Sequence, residues 1–114
     1  DLQSQLKEKG LPWEKAKAFD GAAVIGKFIN KSAFKDVNNI NFSLKKNETI
    51  TQKGNTALML WKIDTLIEYI SKYFTLKIGD VIFTGTPSGV GKVSPNDILT
   101  GYVEEEEVFS IKVK

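Results

Sequence analysis

The chain changes its hydrophobic period once, and that change narrows the folds open to it. Ile40 to Lys45 reads Ile-Asn-Phe-Ser-Leu-Lys, with an apolar residue at every second position. Such alternation marks a half-buried strand. Lys46-Asn47-Glu48 offers a turn into Thr49-Ile50-Thr51-Gln52, so a hairpin is predicted. From Ile63 the period lengthens: Ile63, Leu66, Ile67, Ile70, Tyr73 and Phe74 fall on one stripe. That spacing predicts a helix over 63–74, with Glu68 and Lys72 as an exposed i, i+4 pair. A shorter helix is predicted from Leu2 and Leu6, capped by Asp1 and stopped by Gly10.

The remaining strand signals are short. Val24–Ile29 and Val81–Thr84 are rich in strand formers. After Pro95-Asn96-Asp97 comes Ile98-Leu99, and Phe109, Ile111 and Val113 alternate near the end. The four glutamates at 104–107 read as a solvated turn rather than a metal site. Consecutive residues in a strand point to opposite faces and rarely converge on one ion. No 20–50-residue repeat and no linker divides the 114 residues, so a single α+β, β-rich domain is expected, with one long and one short helix.

Absences restrict the chemistry. There is no cysteine and no histidine, so disulfides, thiolate sites, imidazole bases and Ser-His-Asp triads are excluded within this chain. There is no arginine either: all sixteen positive charges are lysines, and bidentate guanidinium clamps are unavailable. Fourteen acids interrupt those lysines and leave a net charge of +2. This is a solubilising surface rather than a nucleic-acid stripe, so no nucleic-acid partner is expected. No run of about 18 apolar residues exists, so no membrane partner is expected. The first residues lack an apolar signal core, and a cytoplasmic location is expected. The first residue is Asp and the only methionine is Met59, so the chain is expected to be processed or part of something longer.

Gly85-Thr86-Pro87-Ser88-Gly89-Val90-Gly91-Lys92 invites a phosphate-loop reading that fails. Five residues separate Gly85 from Gly91, and Val93 follows Lys92 where Ser or Thr is required. The dinucleotide pattern fails as well, because Ser94 stands where a third glycine belongs. Another chemistry remains open. A strand that ends in Thr-Gly-Thr-Pro turns backbone N–H groups outward, and Gly85 lets a ligand approach closely. Such a corner suits a carboxylate or enolate oxygen, and a plain tight turn is the alternative.

Several stretches together resemble the fumarylacetoacetate hydrolase family. They are Gly10-Leu11-Pro12-Trp13, Ala16-Lys17-Ala18-Phe19-Asp20, Asn47 with Gln52, Gly54-Asn55-Thr56 and Met59, and Gly79-Asp80-Val81-Ile82 with Thr84-Gly85-Thr86-Pro87-Ser88-Gly89-Val90-Gly91. The matches run in order along nearly the whole chain. The resemblance implies the C-terminal portion of one catalytic domain over 1–114, an incomplete mixed-sheet roll or sandwich. It implies enzymes acting on short 2-oxo acids, by acylpyruvate C–C hydrolysis, oxaloacetate decarboxylation or dienoate isomerisation and hydration. Mg²⁺ or Mn²⁺ would be held by a Glu-x-Glu pair and an Asp upstream of Asp1, with no metal ligand in this chain.

Residue by residue, the resemblance makes Lys17 the active-site cation and Gln3 a substrate hydrogen-bonder. Gly85 and Thr86 become the turn that holds a substrate carboxylate. Asp80 and Asn96-Asp97 are expected to form turns. The chain alone is expected to be inactive, and a homodimer is expected. The alternative is a non-catalytic half-domain that serves as an interaction module. Asn47-Glu48-Thr49 departs from the family's usual Asn-Gly-Glu, and a wider hairpin is expected there.

Overall fold

The computed structural model describes residues 2–114. The predicted hairpin is strands β1 (Asn41–Lys46) and β2 (Thr49–Asn55). It joins β3 (Ile98–Val103) and β4 (Glu106–Lys112) in an antiparallel sheet of order β2-β1-β3-β4. The helices are α1 (Leu2–Glu8), α2 (Glu14–Lys17) and α3 (Ile63–Ser71). The α+β, β-rich class expected from the sequence is therefore the one observed. The proposed Asp1 cap lies outside the described residues.

The period of two sorts the sheet into unlike faces. Phe42 and Leu44 share one face with Leu99, Gly101, Phe109 and Ile111, as the register pairs them. Ser43, Lys45, Thr100, Tyr102 and Ser110 occupy the other. There the Thr100 and Ser110 hydroxyls lie 3.2 Å apart, and the Lys45 ammonium sits 5.0 Å from the Tyr102 ring centre. Two glycines let aromatic rings lie flat on the apolar face. A Cβ at Gly101 would stand 2.2 Å from Phe109 Cε1, and one at Gly54 would stand 2.6 Å from Phe42 Cζ. Gly101 is the one buried residue among those described.

The hairpin is tighter than expected. Asn47 (φ 48°) and Glu48 (φ 71°) both take the left-handed conformation that a two-residue primed turn requires, and Lys46 still pairs with Thr49. Asn47 explains why the turn survives without glycine. Its Oδ1 accepts from the Ile98 N–H at 2.8 Å, and its Nδ2 donates to Asp97 Oδ1 at 2.7 Å. Glu48 has no such compensation, and a left-handed non-glycine residue costs about 1–2 kcal/mol. Glu48→Gly is expected to raise amide-exchange protection at Lys46 and Thr49 about fivefold, the equivalent of about 1 kcal/mol.

The acidic turns behave as expected. Asp80 Oδ2 accepts from the Lys77 N–H at 2.7 Å, and Asp97 Oδ2 accepts from the Ser94 N–H at 2.8 Å. Glu104 turns the chain between β3 and β4 and accepts from the Asn41 N–H at 2.8 Å. The Ser94 N–H, then the Asn47 amide and the Lys46 ammonium, hold the Asp97 carboxyl below its ordinary value of 3.8 despite some desolvation. A depressed carboxyl pKa stabilises the fold above the ordinary value, and that contribution is lost as pH falls through the lowered one. Ser94 amide protection is therefore expected to hold at neutral pH and fall below pH 3.8. In Asp97→Asn that step should vanish.

Three expected elements come out differently. Val24–Ile29 and Val81–Thr84 form no strand and belong to no ladder. The first is tied to β4 through the Lys27 N–H to Val108 O bond, 2.7 Å long. A strand exists only where a partner supplies its hydrogen bonds, and neither segment has one along its length. Helix α3 ends at Ser71, three residues short of the predicted stripe. Tyr73 and Phe74 lie beyond it, 69% and 68% exposed, with the Tyr73 ring tilted against Tyr69 at a centroid distance of 5.3 Å.

That last point extends to the whole chain. No hydrophobic side chain among the described residues is fully buried, and Leu60 and Trp61 are 96% and 63% exposed. The accessible surface is 9576 Å², against roughly 6,200 Å² for a compact protein of this mass. The radius of gyration is 15.9 Å, against about 13 Å. Among the described residues the sheet's apolar face has no second packed layer, although sheets of this kind need one.

Candidate functional site

The candidate site is the loop that crosses the apolar face of the sheet. Residues 84–88 border an open trough of about 1080 Å³ whose floor includes Phe42, Leu44, Gly101 and Phe109. Gln52 on β2 anchors the loop. Its Nε2 donates to Thr86 Oγ1 and to Pro87 O, both at 2.9 Å. Gly89 (φ +100°) lies against β2, where a Cβ would stand 2.1 Å from Thr51 O. Lys46 Nζ donates to Lys92 O at 3.1 Å and closes the loop's far end.

This anchoring leaves an unusual row of donors. Among the described residues, no backbone N–H from Val81 to Val93 donates to another group of the protein. Ser94, the next residue, donates to Asp97. Gly85 at φ +105° turns the chain so that it and Thr86 line the trough. The Thr86 hydroxyl uses its oxygen to accept from Gln52 and keeps its proton to give. Unpaired N–H donors beside a hydroxyl donor can take a carboxylate or a developing enolate oxygen.

The sequence signals that mattered here are structural as well as chemical. Gln52 appears in the sequence pattern without a role, and the structure gives it one as the strut under the Thr86 turn. Asn55 bridges Asn39 and Asn41, with its Nδ2 3.0 Å from each side-chain oxygen. Thr56 Oγ1 accepts from the Ile40 N–H and donates to Val37 O, both at 2.9 Å. The Gly54-Asn55-Thr56 run thus ties the segment before β1 to the end of β2.

Of the residues expected at the site, the structure brings Gly85 and Thr86 together. It does not bring Gln3 or Lys17 to them. Gln3 is half-buried on α1 and Lys17 is exposed at the end of α2, and neither lines the trough. Neither side chain makes a hydrogen bond or ion pair with a described residue. Nor do three or more Asp or Glu side chains gather anywhere among the described residues in a way that would hold a metal. The described residues by themselves do not fit a divalent ion.

The sequence and the fold both resemble known proteins. The oxaloacetate tautomerase YcgM of Escherichia coli K12 is 50% identical over 101 residues, 88% of this chain and 46% of that protein. A fumarylacetoacetate hydrolase family protein from Yersinia pestis CO92 superposes with a TM-score of 0.90 at 42% identity, over 99% of this chain and 53% of that one. A fumarylpyruvate hydrolase from Pseudomonas aeruginosa, solved with Mn²⁺ and pyruvate, gives a TM-score of 0.88 at 34% identity, over 99% of this chain and 48% of that one. The chain spans about half the length of the curated relatives it matches. Among the described residues no helix is long and apolar enough to cross a membrane. The family described as fumarylacetoacetate (FAA) hydrolase C-terminal matches residues 1–112, and the chain belongs to that family of enzymes.

Proposed function

We propose that this chain is the C-terminal portion of a metal-dependent catalytic domain acting on short 2-oxo acids, oxaloacetate or an acylpyruvate foremost, in the cytoplasm. The row of free N–H donors at Gly85 and Thr86 carries this reading. There the substrate carboxylate is held, with Gln52 fixing the Thr86 hydroxyl toward it. Gln3 hydrogen-bonds the substrate, and Lys17 offsets the negative charge that grows on its oxygen. Relatives that act on oxaloacetate and a neighbour solved with pyruvate support the substrate class. The divalent ion is held by residues outside this chain.

The reading is tested on oxaloacetate and acetylpyruvate with Mg²⁺, using the chain alone and the chain paired with the half of YcgM that it does not match. Alone, the chain is expected to give no turnover above a Lys17→Ala control. In the paired form, Thr86→Val should raise KM about tenfold, the worth of one good hydrogen bond to a charged group, with a smaller change in kcat. Turnover with an unchanged KM in Thr86→Val contradicts the reading. A second reading, a non-catalytic module that dimerises, is favoured by the uncovered apolar face. It predicts a stable homodimer by light scattering and no turnover in either form.

A further inference from the structure

Both edge strands of the sheet carry a bulge, and a crossing segment of the chain meets each one. In β2, Ile50 pairs with Lys45 and Gln52 pairs with Leu44, so Thr51 is left over. In β4, Glu107 pairs with Tyr102 and Phe109 pairs with Gly101, so Val108 is left over. A Cβ at Gly89 would run into Thr51 O, and a Cβ at Gly26 would run into Val108 O. Val108 O also accepts from the Lys27 N–H at 2.7 Å. The same arrangement on both edges marks a built feature. Bulges at sheet edges bend the strand and end its pairing.

The bulge in β2 faces the candidate site. At one end of the hairpin the two-residue turn pairs Lys46 with Thr49, and at the other Gly54 lies under the Phe42 ring. Between those pairs β1 has Ser43, Leu44 and Lys45, whereas β2 has Ile50, Thr51, Gln52 and Lys53. One residue of β2 must go unpaired. Thr51 suits that place, because its hydroxyl donates to Leu44 O at 3.2 Å. Gln52 then stands opposite Leu44 on the apolar face, where its Nε2 reaches Thr86 Oγ1 and Pro87 O. A strand one residue shorter would keep Gln52 there as well. What the bulge alone supplies is a bend and the Thr51 carbonyl on which Gly89 rests.

The loop is thus held at three points: Thr86 and Pro87 by Gln52, Gly89 by Thr51, and Lys92 by Lys46. Two of the three come from consecutive residues of β2 and hold the stretch that leaves the Gly85–Thr86 corner. We infer that Thr51 is a positioning residue of that corner: its bulge mounts Gly89 beside the Gln52 strut and so keeps the Thr86 hydroxyl aimed. The inference rests on the reading of the corner as the seat of the substrate carboxylate, and adds what holds it in place before substrate arrives. Donors fixed in advance need no ordering on binding, so the effect falls on affinity.

Deleting Thr51 tests this, because the flanking pairs then close into a regular ladder with Gln52 on the same face. Only the bend and the mount are lost. In the 114-residue chain the nuclear Overhauser contact between the Gln52 side-chain amide and the Thr86 methyl should weaken at least twofold, with β3–β4 amide protection unchanged. In the paired form described above, KM for oxaloacetate should rise about fivefold, the order of one neutral hydrogen bond, with a smaller change in kcat. Thr51→Val keeps the backbone and loses the bond to Leu44 O; it should raise KM about threefold, and Thr51→Ser should restore it. A role in stability alone would lower the folded fraction and the rate without moving KM. Thr86→Val is read alongside. If it raises KM while the Thr51 variants do not, or if the Gln52–Thr86 contact survives the deletion undiminished, the inference is overturned and the reading of the corner stands. If Thr86→Val leaves KM unchanged, the reading of the corner falls and the inference falls with it.

Discussion

Gly89→Ala is expected to lift the 84–92 loop off the sheet. Two costs act at this position and neither has a cheap escape. The backbone sits at φ +100°, which L residues with a Cβ rarely adopt, a penalty of about 1–2 kcal/mol. The new methyl carbon would also stand 2.1 Å from Thr51 O, a backbone atom in a paired strand rather than the end of a flexible side chain. Gly101 offers a contrast, since there the neighbour is the Phe109 ring, which has a rotamer to change. At Gly89 the loop itself must move. A penalty of about 2 kcal/mol raises the open population about 30-fold. The readout is limited proteolysis within 84–92 together with the Gln52 side-chain amide resonances, in the chain paired with its complementary half. Faster cleavage and loss of the Gln52 shifts are expected, with β3–β4 amide protection unchanged.

Lys17→Met is the second large effect, and its size depends on the state of the chain. An exposed ammonium acts through water. At about 4 Å it lowers the energy of a neighbouring negative charge by about 1 kcal/mol in bulk water and about 4 kcal/mol at an effective dielectric near 20. Lys17 is exposed in the chain as described and makes no side-chain bond to a described residue. On the proposed function its catalytic worth depends on enclosure by the rest of the domain. In the paired form Lys17→Met should lower kcat about 10²-fold or more while the heterodimer still forms. In the chain alone there is nothing for the substitution to remove. A paired enzyme whose kcat is unchanged by Lys17→Met would remove Lys17 from the site.

The parts that were legible in the sequence depend on local pattern. Ile40–Lys45 alternates strictly, Ile63–Ile70 keeps a helical stripe, and both elements stand where the pattern puts them. Asp80 and Asp97 are turn formers because their carboxylates reach N–H groups three residues away, a geometry set by the adjacent chain. Elements that need a distant partner were not legible. Val24–Ile29 and Val81–Thr84 have strand composition, yet composition does not supply the neighbouring strand that would complete their hydrogen bonds. The hairpin showed the reverse error. Losing glycine argued for a wider turn, while the Asn47 contacts to Asp97 and Ile98, from 50 residues downstream, keep it tight.

The site divides along the same line. Gly85 and Thr86 were identified from a contiguous motif, and the structure adds why the corner holds its shape: Gln52, 34 residues away, bonds the Thr86 hydroxyl. No spacing rule links those two positions. Lys17 and Gln3 were carried by family resemblance alone, and the described residues leave both outside the trough. On the proposed function, their convergence on Thr86 needs the rest of the domain, as covering the apolar face does. The proposed function therefore joins the open core and the open site in one physical condition.

Calorimetry of the chain by itself addresses that condition most directly. A self-sufficient domain of 114 residues unfolds with an enthalpy of about 80 kcal/mol in one cooperative transition. With no hydrophobic side chain fully buried among the described residues, the chain alone is expected to show no such endotherm, and to gain one when its complementary half is added. A sharp transition of about 80 kcal/mol in the unaccompanied chain would contradict the account.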